Sequence, residues 1–156
     1  MRIFVLISIL FVFWSCSNST VYKKDFDIDE KGWDYKDVLE FDFDIENPKQ
    51  NYNLLINLKY NKTYNYNNLF FFVDIIDSEN TVKRDTIECI MAAPNGKWMG
   101  EISGDYVEHQ FMYGYNVNFP TKGIYKIQLQ QAMRDTMLKK ISKVGLELQE
   151  FVEIKK

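Results

Sequence analysis

The chain has 156 residues, of which 46% are hydrophobic, and this length suits one domain with a packed core. Its 19 basic and 22 acidic residues give a formal net charge of −3 and are interspersed along the sequence. Because no basic stripe is present, the composition argues against a nucleic-acid partner.

The first 15 residues predict a secretory signal peptide. Arg2 supplies a positive start, and Ile3–Trp14 is apolar except for Ser8. This run is shorter than the roughly 20 residues that a membrane-spanning helix needs. The small residue Ser15 precedes Cys16, the arrangement that a lipoprotein signal peptidase cleaves. We therefore predict a signal peptide over residues 1–15, lipid on Cys16, a polar tether over 16–21 and one domain over 22–156. An ordinary signal peptide with a chance cysteine, or an uncleaved anchor, is the alternative.

Period-two alternation of apolar and polar residues dominates the remaining sequence and predicts strands with one buried face. Val38–Glu46 is the clearest case, and Tyr52–Tyr60 follows it after a segment, Asn47–Asn51, that is typical of turns. We predict that these two strands form a hairpin. Further strands are predicted, in chain order, at 21–28, 69–76, 81–91, 101–103, 111–119, 124–130 and 144–154.

Helical signal is weak. Only Ala132–Ile141 is compatible with a helical turn or two. Eight or nine antiparallel strands joined by short turns predict an all-β fold, either a β-sandwich or a jelly roll, with little helix.

The residue types needed for catalysis or metal binding are scarce. An acidic row on one predicted strand comprises Glu40, Asp42, Asp44 and Glu46. Alternate residues of one strand lie about 7 Å apart, which is too far for a retaining carboxylate pair. His109 is the only histidine, whereas zinc sites draw on several histidine and cysteine ligands. Cys89 alternates with apolar residues and is predicted to be a small buried hydrophobe. We predict no enzymatic activity, no metal and no cofactor.

Four aromatic residues fall in predicted loops: Trp33, Tyr64, Tyr66 and Trp98. Exposed rings at these positions could stack on a sugar or anchor a protein partner. Loops held down by their own aromatic residues would give the same pattern. Both interpretations stay open at the level of sequence.

The sequence contains six short segments whose order and spacing are distinctive: 66–70, 85–89, 96–100 with Gly104 and Asp105, 123–125, 131–134 and 144–146. Together they resemble the gliding-motility lipoprotein H family (GldH) of the Bacteroidetes. The resemblance covers nearly the whole chain after Cys16. It implies a non-catalytic component of the gliding apparatus in the cell envelope, linked to type IX secretion, with protein partners in that apparatus.

If the chain comes from that phylum, two further sequence patterns indicate possible modification sites. Asp85-Thr86-Ile87 and Asp135-Thr136-Met137 resemble its acceptor sequence for O-glycosylation, which makes Thr86 and Thr136 candidate sites. No acidic run follows Cys16, which favours a domain facing the periplasm from the cell membrane or the outer membrane. The alternative function is an envelope carbohydrate-binding module, which predicts a coplanar row of exposed aromatic rings. An enzyme would instead require convergent polar groups near His109 or the acidic row.

Overall fold

The computed structural model describes residues 19–153, so Cys16 and the predicted signal peptide lie outside the described residues. This part of the chain contains no helix that is long and apolar enough for a membrane crossing. Its eleven strands are β1 (Thr20–Asp27), β2 (Trp33–Asp34), β3 (Leu39–Ile45), β4 (Asn51–Asn61), β5 (Asn68–Ile76), β6 (Val82–Ile90), β7 (Glu101–Ser103), β8 (Tyr106–Asn118), β9 (Gly123–Gln131), β10 (Met137–Leu138) and β11 (Ile141–Glu150).

The strands form two main antiparallel sheets. The five-stranded sheet has the order β1-β11-β4-β8-β7, and the four-stranded sheet has the order β3-β9-β5-β6. The two-residue strands β2 and β10 pair with each other. The all-β sandwich is therefore confirmed, and all nine predicted strands are present. β1 begins two residues before the predicted start of the domain, and β8 begins five residues before its predicted start.

The core lies between the two sheets, as the alternation predicts. Phe41 and Phe43 of β3 are buried, whereas the residue after each of them, Asp42 and Asp44, is exposed. Aromatic rings meet across the sandwich: the ring centroids of Phe26 and Phe41 are 5.2 Å apart. The apolar face of each strand therefore supplies the stability that a chain without an internal disulfide needs.

The predicted hairpin of β3 and β4 is wrong. β3 pairs with β9 in the four-stranded sheet, whereas β4 pairs with β11 and β8 in the five-stranded sheet. The intervening turn crosses from one sheet to the other. Both strands point their apolar faces at the same core. The alternation of apolar and polar residues is therefore the same whether the turn joins two strands of one sheet or crosses between the two sheets.

The segment over residues 132–141 is not helical. The buried Gln131 accepts the Met133 N–H through Oε1 at 2.9 Å and donates from Nε2 to the Asp135 carbonyl at 2.9 Å. The Tyr35 N–H then donates to the Thr136 carbonyl at 2.9 Å. These bonds hold an irregular loop that leads into β10, because side chains that bond the nearby backbone compete with helical hydrogen bonds.

The sandwich has two distinct ends. The chain enters β1 and leaves β11 at the same end, where the Glu150 N–H donates to the Ser19 carbonyl at 2.9 Å. We call this the tether end, because Cys16 is three residues before Ser19. The opposite end, here the far end, holds segments 28–38, 61–67, 91–100 and 132–140. The ten residues of β11 separate the two ends by about 33 Å.

Candidate functional site

An aromatic cluster fills the far end, and Tyr60 lies at its centre. Tyr60 ends the core face of β4 and is fully buried. Its hydroxyl lies 3.1 Å from the Met91 carbonyl oxygen and 2.9 Å from that of Met99, both in segment 91–100. The Trp98 ring packs edge-on against Tyr60, with centroids 5.4 Å apart. Burial raises the pKa of Tyr60, so its hydroxyl stays a neutral group that fastens this segment to β4.

Two further tyrosines extend the cluster to the surface. Tyr64 is 5% exposed and donates from its hydroxyl to the Asn68 carbonyl at 3.1 Å. Its ring packs edge-on against Tyr66, with centroids 5.6 Å apart. Tyr66 is 36% exposed and donates to Asp135 Oδ2 at 2.9 Å, and this bond raises the pKa of Tyr66. The pair therefore connects the core to segment 132–140.

Trp33 has a separate place in the core. It is 1% exposed, its indole N–H donates to the Asp37 carbonyl at 2.9 Å, and its ring lies 5.9 Å from that of Phe71. The neighbouring Gly32 has a φ of 118°, and a Cβ there would lie 2.8 Å from the Leu138 carbonyl oxygen. Gly32 thus allows β2 to pair closely with β10.

The structure therefore separates the four aromatic candidates. Tyr64, Tyr66 and Trp98 meet around Tyr60, whereas Trp33 lies elsewhere in the core. Burial favours the packing interpretation for Trp33 and Tyr64, which have almost no ring surface to offer a partner. Tyr66 is exposed and Trp98 is half-buried, so partner binding at these two remains a prediction.

A hollow of about 330 Å³ lies beside this cluster on the outer face of the four-stranded sheet. Tyr35, Phe72 and Thr136 are among the residues that line it. Thr86 pairs with Phe72 in the neighbouring strand, so both candidate O-glycosylation sites lie near the hollow. Thr86 and Thr136 are both exposed, as a glycosyltransferase requires, and their modification remains a prediction.

The outer face of the five-stranded sheet carries a second, larger hollow, here the groove, of about 610 Å³. No pattern in the sequence indicated this groove. Acidic, basic and amide side chains line it, including Asp25, Asn57, Lys59, Glu108, Gln110 and Lys143. Asp25 folds over Gly145 of the neighbouring strand, since a Cβ at Gly145 would collide with the Asp25 carboxylate. His109 also lines the groove, but no Phe, Tyr or Trp does, so the groove lacks the large rings on which a sugar stacks.

A buried carboxylate, Glu147, organises the polar residues beside the groove. Its Oε1 accepts hydrogen bonds from Gln149 at 2.7 Å and Thr20 at 2.9 Å. Its Oε2 lies 3.2 Å from Lys23 Nζ and 3.3 Å from Asn57 Nδ2. Burial acts to raise the pKa of Glu147, but these hydrogen bonds outweigh it, so the pKa lies below its usual value of 4.5. A glutamate in the otherwise apolar run from Val144 to Leu148 was the sequence signal for this network.

Replacing Glu147 by glutamine is expected to weaken the pH dependence of stability. Because folding lowers the pKa of Glu147, its stabilisation is complete above the usual pKa of 4.5 and is lost as the pH falls below that value. Glu147→Gln should reduce the free energy of unfolding at neutral pH by about 1–3 kcal/mol. Urea unfolding at neutral and acidic pH measures both effects. The exposed Glu101→Gln is the matched control, and equal acid destabilisation of Glu147→Gln and the unmodified protein would contradict the assignment.

Of the remaining candidates for chemistry, Glu40 and Cys89 have structural roles, whereas His109 lines the groove and its buried Nδ1 has no hydrogen-bond partner among the described residues. In the acidic row, Glu40 bonds Lys126 at 2.8 Å and Gln128 at 2.6 Å, which lowers the pKa of Glu40. Cys89 is fully buried, as predicted, and burial raises the pKa of its thiol to about 12. His109 is half-buried, and burial lowers its pKa. Residues 19–153 contain no group of three or more acidic, histidine or cysteine side chains that could hold a metal ion.

Comparison with known proteins gives a match over most of the chain. The model of the family described as "GldH lipoprotein" matches residues 20–148. A protein of Christiangramia forsetii named "Gliding motility lipoprotein GldH homolog" is 36% identical over 132 residues, covering 85% of this chain and 80% of its own. The Flavobacterium johnsoniae protein named "Gliding motility lipoprotein GldH" is 33% identical over 132 residues, covering 85% and 81%.

Among solved structures, one of the infectious bursal disease virus Gt strain aligns with 84% of this chain and 39% of its own. The sequence identity is 9% and the TM-score is 0.21, which is too low to establish a shared fold. The comparison with known proteins therefore rests on the sequence matches.

Proposed function

Because the chain belongs to the GldH lipoprotein family, we propose that it is a lipid-anchored, non-catalytic component of the gliding-motility apparatus that acts by binding a protein partner. In this proposal Cys16 carries the lipid, and the domain faces the periplasm from the cell membrane or the outer membrane. The apparatus it serves is linked to type IX secretion. The family match supports the lipoprotein and motility parts of the proposal, and the geometry supports the mode of action.

The proposed mode of action rests on one observation: the tether end and the far end lie at opposite ends of the sandwich. Ser19, next to the proposed anchor, is at the tether end, whereas the exposed loops with Tyr66 and Met99 are about 33 Å away at the far end. Tyr35 and Met137 add further exposed apolar surface there, with 44% and 37% of each residue exposed. Binding residues concentrate on loops held by a rigid scaffold. We therefore assign the partner-binding surface to the far end.

Carbohydrate binding is the less favoured alternative. It predicts a coplanar row of exposed aromatic rings, but the groove is lined by no Phe, Tyr or Trp, and the smaller hollow has only Tyr35 and Phe72. The far-end rings instead pack edge-on against one another, as in the pair Tyr64 and Tyr66. Edge-on rings within a core do not form a flat stacking platform.

Changing the far end is expected to abolish function without removing the protein from the membrane. In a deletion strain, the variant Tyr66→Ser with Met99→Ser should fail to restore surface spreading and secretion, because it removes exposed contact area from the loops. The matched control is Asp42→Lys with Asp44→Lys, which changes an exposed face of the four-stranded sheet and should restore spreading.

Both variants must accumulate in membranes to the same level as the unmodified protein. Full rescue by the far-end variant would refute the assignment of the binding surface. A deletion strain that spreads and secretes normally would refute the proposed role in motility.

A further inference from the structure

The most exposed apolar side chains lie at the tether end. Among residues 19–153, four of the five most exposed large hydrophobic residues lie there: Tyr115, Ile124, Val152 and Val82, with exposed fractions of 69%, 65%, 58% and 57%. The fifth, Ile102 in β7, is 55% exposed. Apolar side chains this exposed are unfavourable in water, and a group of neighbouring ones is typical of a contact surface.

The most exposed of these residues belongs to an organised corner. The Tyr115 ring packs edge-on against Phe151, with centroids 5.2 Å apart. The Phe151 N–H donates to the Asn51 carbonyl at 2.8 Å, which continues the pairing of β11 with β4. Val152 follows Phe151 directly. We call Tyr115, Phe151 and Val152 the aromatic corner.

The surroundings of the corner are polar: amide side chains border it, and the acidic residues Glu150 and Glu153 flank Phe151 and Val152 in sequence. Asn51 donates from Nδ2 to Asn116 Oδ1 at 2.7 Å, and Asn118 donates to Asn51 Oδ1 at 3.1 Å. These amides lie beside Tyr115 in β8 and at the start of β4. An apolar and aromatic corner bordered by amides suits the interfacial layer of a bilayer, where Tyr rings have one apolar side and one hydrated group.

The corner is also close to the proposed anchor. Ser19 is bonded to Glu150, the residue before Phe151. Two residues lie between Cys16 and Ser19, so even a fully extended chain allows about 10 Å between them. A lipid on Cys16 therefore keeps the corner beside the membrane surface at all times.

We propose that the aromatic corner docks into the interfacial layer of the same bilayer that holds the lipid, so that the domain stands on its tether end. The inference rests on the proposed lipid anchor and adds to it a second, non-covalent attachment. Docking fixes the direction of the far end, which a flexible tether alone leaves free. Since the corner is uncharged, docking should not require anionic lipids.

The test uses the full lipoprotein, purified from membranes and reconstituted into vesicles of phosphatidylethanolamine and phosphatidylcholine. A fluorophore is attached at Glu153→Cys, next to the corner, or at Lys36→Cys, an exposed position of the far end. Cys89 is buried and does not compete for the label. Lipids carrying a nitroxide near the headgroup should quench the probe at 153 several-fold more than the probe at 36.

A second variant separates docking from proximity. Tyr115→Ser with Val152→Ser, in the Glu153→Cys protein, should lower the quenching several-fold while the protein still floats with the vesicles. Equal quenching at both probe positions, or no effect of the double substitution, would overturn the docking proposal alone. Failure to float would overturn the lipid anchor and docking together. Shielding of the probe in native envelope membranes but not in protein-free vesicles would assign the corner to a protein partner and also overturn docking.

Discussion

Replacing Trp33 by alanine is expected to lower the free energy of unfolding by about 3–5 kcal/mol, the range for a buried Trp or Phe. Trp33 is 1% exposed and packs against Phe71 of the four-stranded sheet. The truncation would leave a cavity at the far end and would remove the hydrogen bond to the Asp37 carbonyl. Urea unfolding followed by circular dichroism measures the change.

The neighbouring Tyr35 provides the matched control. It is 44% exposed, and Tyr35→Ala should change the free energy of unfolding by no more than about 0.5 kcal/mol. Trp33→Phe should give an intermediate loss and keeps the comparison possible if the alanine variant does not fold. Equal stability of Trp33→Ala and Tyr35→Ala would contradict a packing role for Trp33.

Replacing Cys16 by serine is expected to abolish both membrane retention and the ability to restore gliding. In our proposal the lipid is attached through the Cys16 sulfur, and serine offers no thiol for this reaction. Two or more acyl chains hold a protein stably at a membrane, whereas the aromatic corner alone contributes only a weak contact. Fractionation of cells, fatty-acid labelling and the spreading of a complemented deletion strain measure the result.

The second cysteine of the chain is the natural control. Cys89→Ala removes the buried thiol and should retain the fatty-acid label, because Cys89 lies in the core rather than at the membrane. A Cys16→Ser protein that still incorporates fatty acid and stays with membranes would show that the anchor is elsewhere.

The strands were predictable because the buried face of each one leaves a local pattern. Phe41, Phe43 and Ile45 are buried, with exposed acidic residues between them, as the period of two requires. The pairing of strands was not predictable in the same way. β3 and β4 are joined by a short turn but lie in different sheets, and the choice of partner depends on residues far away in sequence, such as Tyr125 opposite Phe43.

The candidate site shows the same limit. The neighbouring sequence does not indicate whether an aromatic ring in a polar segment is buried. Tyr64 and Tyr66 were therefore indistinguishable in the sequence, although Tyr64 is 5% exposed and Tyr66 is 36% exposed. Tyr64 packs against Tyr60, whereas Tyr66 donates a hydrogen bond to Asp135. Neither partner lies in segment 61–67, so the difference in exposure could not be read from that segment. Glu147 was visible as an acid in an apolar run, but its partners come from three other strands.

The pairing of β1 with β11 has a consequence for the order of folding. These strands are the first and the last of the domain, and they pair from Thr20 with Gln149 to Asp27 with Lys143. The five-stranded sheet therefore cannot close while residues 141–150 are still on the ribosome or in a translocation channel. Contacts between such distant residues also form slowly. In the export that we propose, the five-stranded sheet is therefore completed only after its last strand has crossed the membrane.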